Sequence, residues 1–96
     1  MITRIIKLTS KVSADEFMAY MNEIIPELNA MDGCSQVEVL RGKINENIFF
    51  IYTIWKNSKA LNKFRDSQFN QVFWNKLNEM SESRPQVWSV ENIFEK

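Results

Sequence analysis

The sequence predicts one α+β domain over residues 1–96, with the element order β-α-β-β-α-β around an antiparallel sheet. Three observations carry this. Two long stretches place apolar residues at steps of three and four, the spacing of amphipathic helices. Four shorter stretches are rich in β-branched and aromatic residues and end in polar or glycine-containing runs, as strands do. With 96 residues, 45% of them hydrophobic and 25% charged, the chain folds around one core.

Residues 2–8 are β-branched and stop at Thr9-Ser10-Lys11, a first strand. Ser13-Ala-Asp-Glu16 has the form of a capping box. Phe17, Met21, Ile24, Leu28 and Met31 follow as the stripe of the first helix. Pro26 lies off the stripe and removes a hydrogen bond, so a kink or break is expected there, and Asp32-Gly33 is expected to close the helix. Residues 34–41 form a second strand, with Val37 and Val39 on one face and Gln36 and Glu38 on the other. The polar run 42–47 is a hairpin loop. Residues 48–55 form the third strand, which is apolar on both faces. Phe49, Ile51 and Trp55 lie on one, and Ile48, Phe50, Tyr52 and Ile54 on the other. Asn57 or Ser58 caps a second helical region carrying Leu61, Phe64, Phe69, Phe73, Leu77 and Met80. Asp66-Ser67 is a place for it to divide. Pro85 ends it, and residues 86–94 make the last strand.

This order is ferredoxin-like, and two right-handed crossovers put both helical regions on one sheet face. The other face is then bare, although the third strand sends large apolar groups to it. Contiguous apolar patches of that size are rare on monomers, so a second copy packed sheet to sheet, a homodimer, is the expected cover.

Absences exclude several kinds of chemistry. There is no histidine, which removes imidazole metal sites, Ser-His and Cys-His catalysis, and His-ligated haem. The one cysteine, Cys34, allows no internal disulfide and no thiolate metal cluster, and fits a cytoplasmic setting. Twelve basic residues balance twelve acidic ones, so no nucleic-acid partner and no anionic membrane surface is expected. No stretch is long and apolar enough to span a membrane. Two glycines leave no phosphate loop for a nucleotide cofactor, so the expected cofactor is none. The order β-α-β-β-α-β also occurs in RNA-recognition domains, but the third strand lacks their glycines and basic lead residue.

Asp32-Gly33-Cys34, Trp55-Lys-Asn-Ser58-Lys-Ala-Leu61, Asp66-Ser67-Gln-Phe69 and Pro85-Gln-Val-Trp88-Ser-Val-Glu91 recur here in a telling order. In these the chain resembles the antibiotic-biosynthesis monooxygenase domain family, over nearly its whole length. The resemblance implies a dimeric α+β barrel. It also implies cofactor-free oxygenation of phenols or quinols, or haem degradation, as the activities to weigh. The positions matching the haem-site Asn, Trp and His hold Ile5, Phe64 and Trp74. Phe64 also stands where many cofactor-free members carry a His. Among the residues matching aromatic-polyketide oxygenases, Trp55 is kept while Ile51 and Leu61 replace an Asn and a Tyr.

The candidate pocket therefore comprises Trp55, which can stack on an aromatic guest, and Phe64, Phe73 and Trp74, which can roof a cavity between helices and sheet. Tyr52 offers a hydroxyl to a phenolate, and Asn62 a hydrogen bond to a substrate oxygen. Each has a plainer role as packing or surface, and no catalytic base is evident. The expected function is a cofactor-independent monooxygenase of a small aromatic phenol or quinol. The alternative is a non-catalytic dimeric binding or structural module of the same fold.

Overall fold

In the computed structural model, which describes residues 1–94, alternation fixes the strands first. β1 (Ile2–Thr9) buries Arg4, Ile6 and Leu8 and leaves Thr3, Ile5 and Lys7 half-buried on the other face. β2 (Cys34–Arg41) and β3 (Ile48–Trp55) pair as a hairpin, and β3 buries Phe49, Ile51, Thr53 and Trp55. β4 (Gln86–Glu91) pairs with β1, giving the order β2-β3-β1-β4 with every neighbouring pair antiparallel. This is the expected ferredoxin-like sheet. The last strand stops at Glu91, short of the predicted 94.

The helices begin where the capping residues stand. Ser13 accepts from the Glu16 N–H at 3.1 Å to open α1 (Ala14–Asn29). Asn57 accepts from the Ala60 N–H at 2.9 Å to open α2 (Ser58–Arg65), and Ser67 accepts from the Asn70 N–H at 3.1 Å to open α3 (Gln68–Met80). The second helical region is thus two helices, divided at Asp66-Ser67, and the order becomes β-α-β-β-α-α-β.

Two local expectations are corrected. α1 runs unbroken through Pro26, because Met21 and Leu28 are clamped in the core on either side while the proline ring faces solvent. Packing of the apolar face outweighs the lost bond to the Asn22 carbonyl. Gly33 does not cap α1, which ends at Asn29 with Ala30 as its right-handed C-cap. Gly33 turns the chain into β2 at φ +84°, where a Cβ would collide with that of Ala60.

The core lies between the helices and one sheet face. Phe17, Met21 and Leu28 meet Ile6, Leu8, Phe49 and Ile51 there, with Leu61, Phe64, Phe73, Leu77 and Met80 closing the far side. The opposite face carries Ile5, Phe50, Tyr52 and Ile54 without cover, flanked by exposed Leu40, Trp88 and Val90. All six residues of β4 are exposed. The accessible surface of 6438 Å² exceeds the roughly 5,800 Å² expected of a compact monomer of this mass. Among the described residues no helix is long and apolar enough to cross a membrane.

Candidate functional site

Trp55 ends β3 with its side chain fully enclosed, and its indole N–H donates to the Thr53 hydroxyl at 2.9 Å. Its ring stacks on Phe64 of α2 at 4.7 Å between centroids and 28° between planes. The aromatic contacts continue from Phe64 to Phe69 at 6.3 Å, from Phe69 to Phe73 at 6.4 Å, and from Phe73 to Tyr20 of α1 at 6.4 Å. Trp74, half-buried, packs against this core. Three of the six sequence-nominated residues, Trp55, Phe64 and Phe73, therefore share one run of aromatic contacts, with Trp74 packed at the margin of the core. The other two do not join it. Tyr52 is out of phase with Trp55 and lies on the opposite sheet face, and Asn62 is exposed on α2.

A residue that sequence reasoning passed over changes the character of the layer. Arg4 is in phase with Ile6 and Leu8, so its side chain enters the core face, where it is only 6% exposed. Register sets it between Thr53 of β3 and Ser89 of β4. Its Nε has no hydrogen-bond partner. Burial pulls the guanidinium pKa down to about 10, and the nearby Arg65 lowers it further in the same direction. No carboxylate among the described residues offsets that charge. The signal was there to read: a charged residue standing at an inward position of an alternating strand.

Asn70 is the second such group. It is 9% exposed, its amide N–H donates to the Arg65 carbonyl at 3.1 Å, and its Oδ1 has no donor. The bridge between Ser10 and Ser81 joins the end of α3 to the end of β1. The charge of Arg65, whose carbonyl Asn70 holds, bears on Arg4.

Two depressions border the layer. One of about 390 Å³ opens between α1 and α3, lined by Glu16, Ala19, Tyr20, Glu23, Lys76 and Met80. Burial, then Glu23, Glu27 and Glu79, push the Tyr20 phenol up to about 12, and its hydroxyl has no partner. A smaller one, about 100 Å³ and mainly apolar, exposes an edge of Phe64 between Met31, Ala60, Lys63 and Ser67. A guest that touches Trp55 must displace Phe64 or its neighbours. Cys34 is half-buried, and burial raises its thiol pKa, so it is a poor nucleophile. Among the described residues no three His, Cys, Asp or Glu side chains could hold a metal ion.

The profile of the antibiotic biosynthesis monooxygenase family matches residues 1–73, from β1 to the middle of α3. The chain belongs to that family. The match takes in Arg4, Trp55 and the aromatic layer as far as Phe73. Solved structures repeat the architecture at low identity. A mutant of SnoaB, a cofactor-independent oxygenase from Streptomyces nogalater, superimposes with a TM-score of 0.87 at 13% identity, covering 98% of this chain and 94% of that one. A conserved protein from Methanosarcina mazei Go1 gives 0.84 at 20% identity over 96% and 93%. A protein from Mycobacterium tuberculosis gives 0.83 at 15% identity over 98% and 96%. At these identities the likeness is one of fold. No curated protein matches the sequence.

Proposed function

We propose that this family member is a cofactor-independent monooxygenase of a small aromatic phenol or quinol, working as a homodimer with one site in each chain. The observation that carries the reading is the stack of Trp55 on Phe64, with the Trp55 indole bonded to Thr53, the register partner of the buried Arg4. Aromatic walls favour a flat aromatic guest. A cation beside them favours the ionised phenol, the form that gives an electron to O2. Radical recombination then forms a C–O bond, and loss of water leaves a carbonyl. A ring CH2 and O2 become C=O and H2O, with no outside electron donor. With no histidine in the chain, Tyr52 on the other sheet face and Asn62 in solvent, the phenol proton passes to water while Arg4 holds the anion. SnoaB, the cofactor-independent oxygenase of the same fold, supports this class of chemistry.

The competing reading is a non-catalytic dimeric binding module, and the closure of the layer favours it: Trp55 and Phe73 have almost no exposed surface. Oxygen uptake with hydroquinone and anthrone decides between the two. The oxygenase consumes oxygen above the buffer rate with at least one probe and slows in Arg4→Met. Buffer rates throughout leave the binding module.

The bare sheet face supports the dimer. Ile5, Phe50, Tyr52, Ile54, Trp88 and Val90 present one apolar surface of the kind a second sheet covers. A light-scattering mass of one chain at micromolar concentration would overturn it.

A further inference from the structure

We propose that Glu38 of one copy of the chain pairs with Lys7 and Arg84 of a second copy, so that the two-fold axis of the homodimer runs along the strands and seats each β2 edge on the partner's β4 edge. The inference rests on the dimer of the reading above and names how the two copies recognise each other.

Strand register lays out the bare sheet face in rows. Glu38 shares a row with Tyr52, Ile5 and Trp88, and Lys7 stands in the next row, between Phe50 and Gln86. Of the charged residues in the strands, Arg4, Arg41 and Glu91 belong to the helix side by register. Lys7 and Glu38 are the two strand charges on this face. Within one chain β3 runs between them, carrying Tyr52 and Phe50, and the Glu38 carboxylate accepts from the Gln36 amide at 2.9 Å. At the Lys7 end the face closes on a depression of about 130 Å³, lined by Lys7, Thr9, Ser83, Arg84 and Gln86. It holds two cations with hydroxyl and amide groups, and no acid among the described residues that line it. That make-up suits a carboxylate.

Covering the apolar face with a second copy takes both charges out of water, and each then needs a partner of opposite sign. Symmetry decides whether it finds one. Sheets packed face to face keep their strands within about 30° of each other, so the two-fold lies either across the strands or along them. An axis across the strands lays β2 on β2 and β1 on β1, bringing Glu38 towards Glu38 and Lys7 towards Lys7. An axis along the strands reverses the order β2-β3-β1-β4 over the partner, laying β2 on β4 and β3 on β1. Glu38 then meets the Trp88 row, one row from Lys7 and Gln86 and beside the depression. The same operation repeats the pair in the other half of the interface, so each dimer holds it twice.

The test is the dimer dissociation constant of the full chain, by analytical ultracentrifugation, for wild type, Glu38→Lys, and the double variant Lys7→Glu with Arg84→Glu. Each variant alone sets like charges against each other twice. It is expected to dimerise at least about ten-fold more weakly than wild type, by an amount that high salt reduces. Mixed in equal amounts, the two variants are expected to form a heterodimer of near wild-type strength, because each reversed charge meets its opposite on the other chain. A Glu38→Lys chain that dimerises as wild type does overturns the proposal and keeps the dimer, and so does a mixture no tighter than its components. Wild type that stays a single chain removes the dimer and the proposal together. Should either variant unfold alone, recovery of the helical circular dichroism on mixing carries the decision, and its absence overturns the pairing.

Discussion

Where β1 runs out, the inner face of the sheet is closed in every respect. Ile6 and Leu8 lie among Phe17, Phe49 and Met80, with Phe17 stacked on Phe49 at 4.2 Å and 26°. The polar groups buried at that end are answered: the Ser10 hydroxyl donates to the Val12 carbonyl at 2.9 Å, and the Ser81 hydroxyl to that of Leu77 at 2.6 Å. Where β1 begins, the same face holds Arg4 and Asn70, each with a buried polar atom unanswered. Side chains are buried at both ends, so the difference is one of polar pairing. One end is finished by the chain itself. The other leaves two buried polar atoms unpaired.

The largest effect should come from the finished end. Phe17→Ala removes a fully buried ring and is expected to cost about 3–5 kcal/mol, read as a large fall in the urea midpoint. Arg4→Met at the unfinished end should act in the opposite direction, raising stability by about 1–4 kcal/mol as a charge without a partner leaves the core. A loss of stability there would mean that the two ends are alike. Ser81→Ala gives up a satisfied buried bond and should cost about 1 kcal/mol, whereas Asn70→Leu should be close to neutral. Equilibrium urea melts resolve both.

Tyr20→Phe is the smallest, within about 0.5 kcal/mol at neutral pH, because the hydroxyl it removes has no partner. Its effect belongs to alkali. The folded phenol titrates near 12 and the unfolded one near 10, so the folded chain holds the proton longer and stability is lost as pH rises between those values. Arg4 has the reverse sign, since its lowered pKa makes the folded chain release its proton first, and it offsets part of that loss. Melts of Tyr20→Phe and wild type across pH 10 to 12 should therefore diverge, with the variant falling less.

The sequence by itself determined the strands, their inward and outward faces and the helix starts, because those depend on neighbours within a few residues. Alternation assigned Phe49, Ile51 and Trp55 to one face of β3, and Ser13, Asn57 and Ser67 marked the caps by side-chain bonds three residues long. The same locality explains the division at Asp66-Ser67. Other features were decided only in three dimensions. Pro26 stays inside α1 because Met21 and Leu28 are held from outside the helix, and Gly33 is needed because Ala60, 27 positions away, occupies the space a Cβ would take. Of the candidate site, the aromatic layer was legible as a stripe and Arg4 was legible as a charge on an inward position. That no acid comes to meet Arg4, and that the charge bearing on it is Arg65, could not be read from the chain. Pairing of buried charges depends on which distant segments share a wall, and that is a property of the assembled fold.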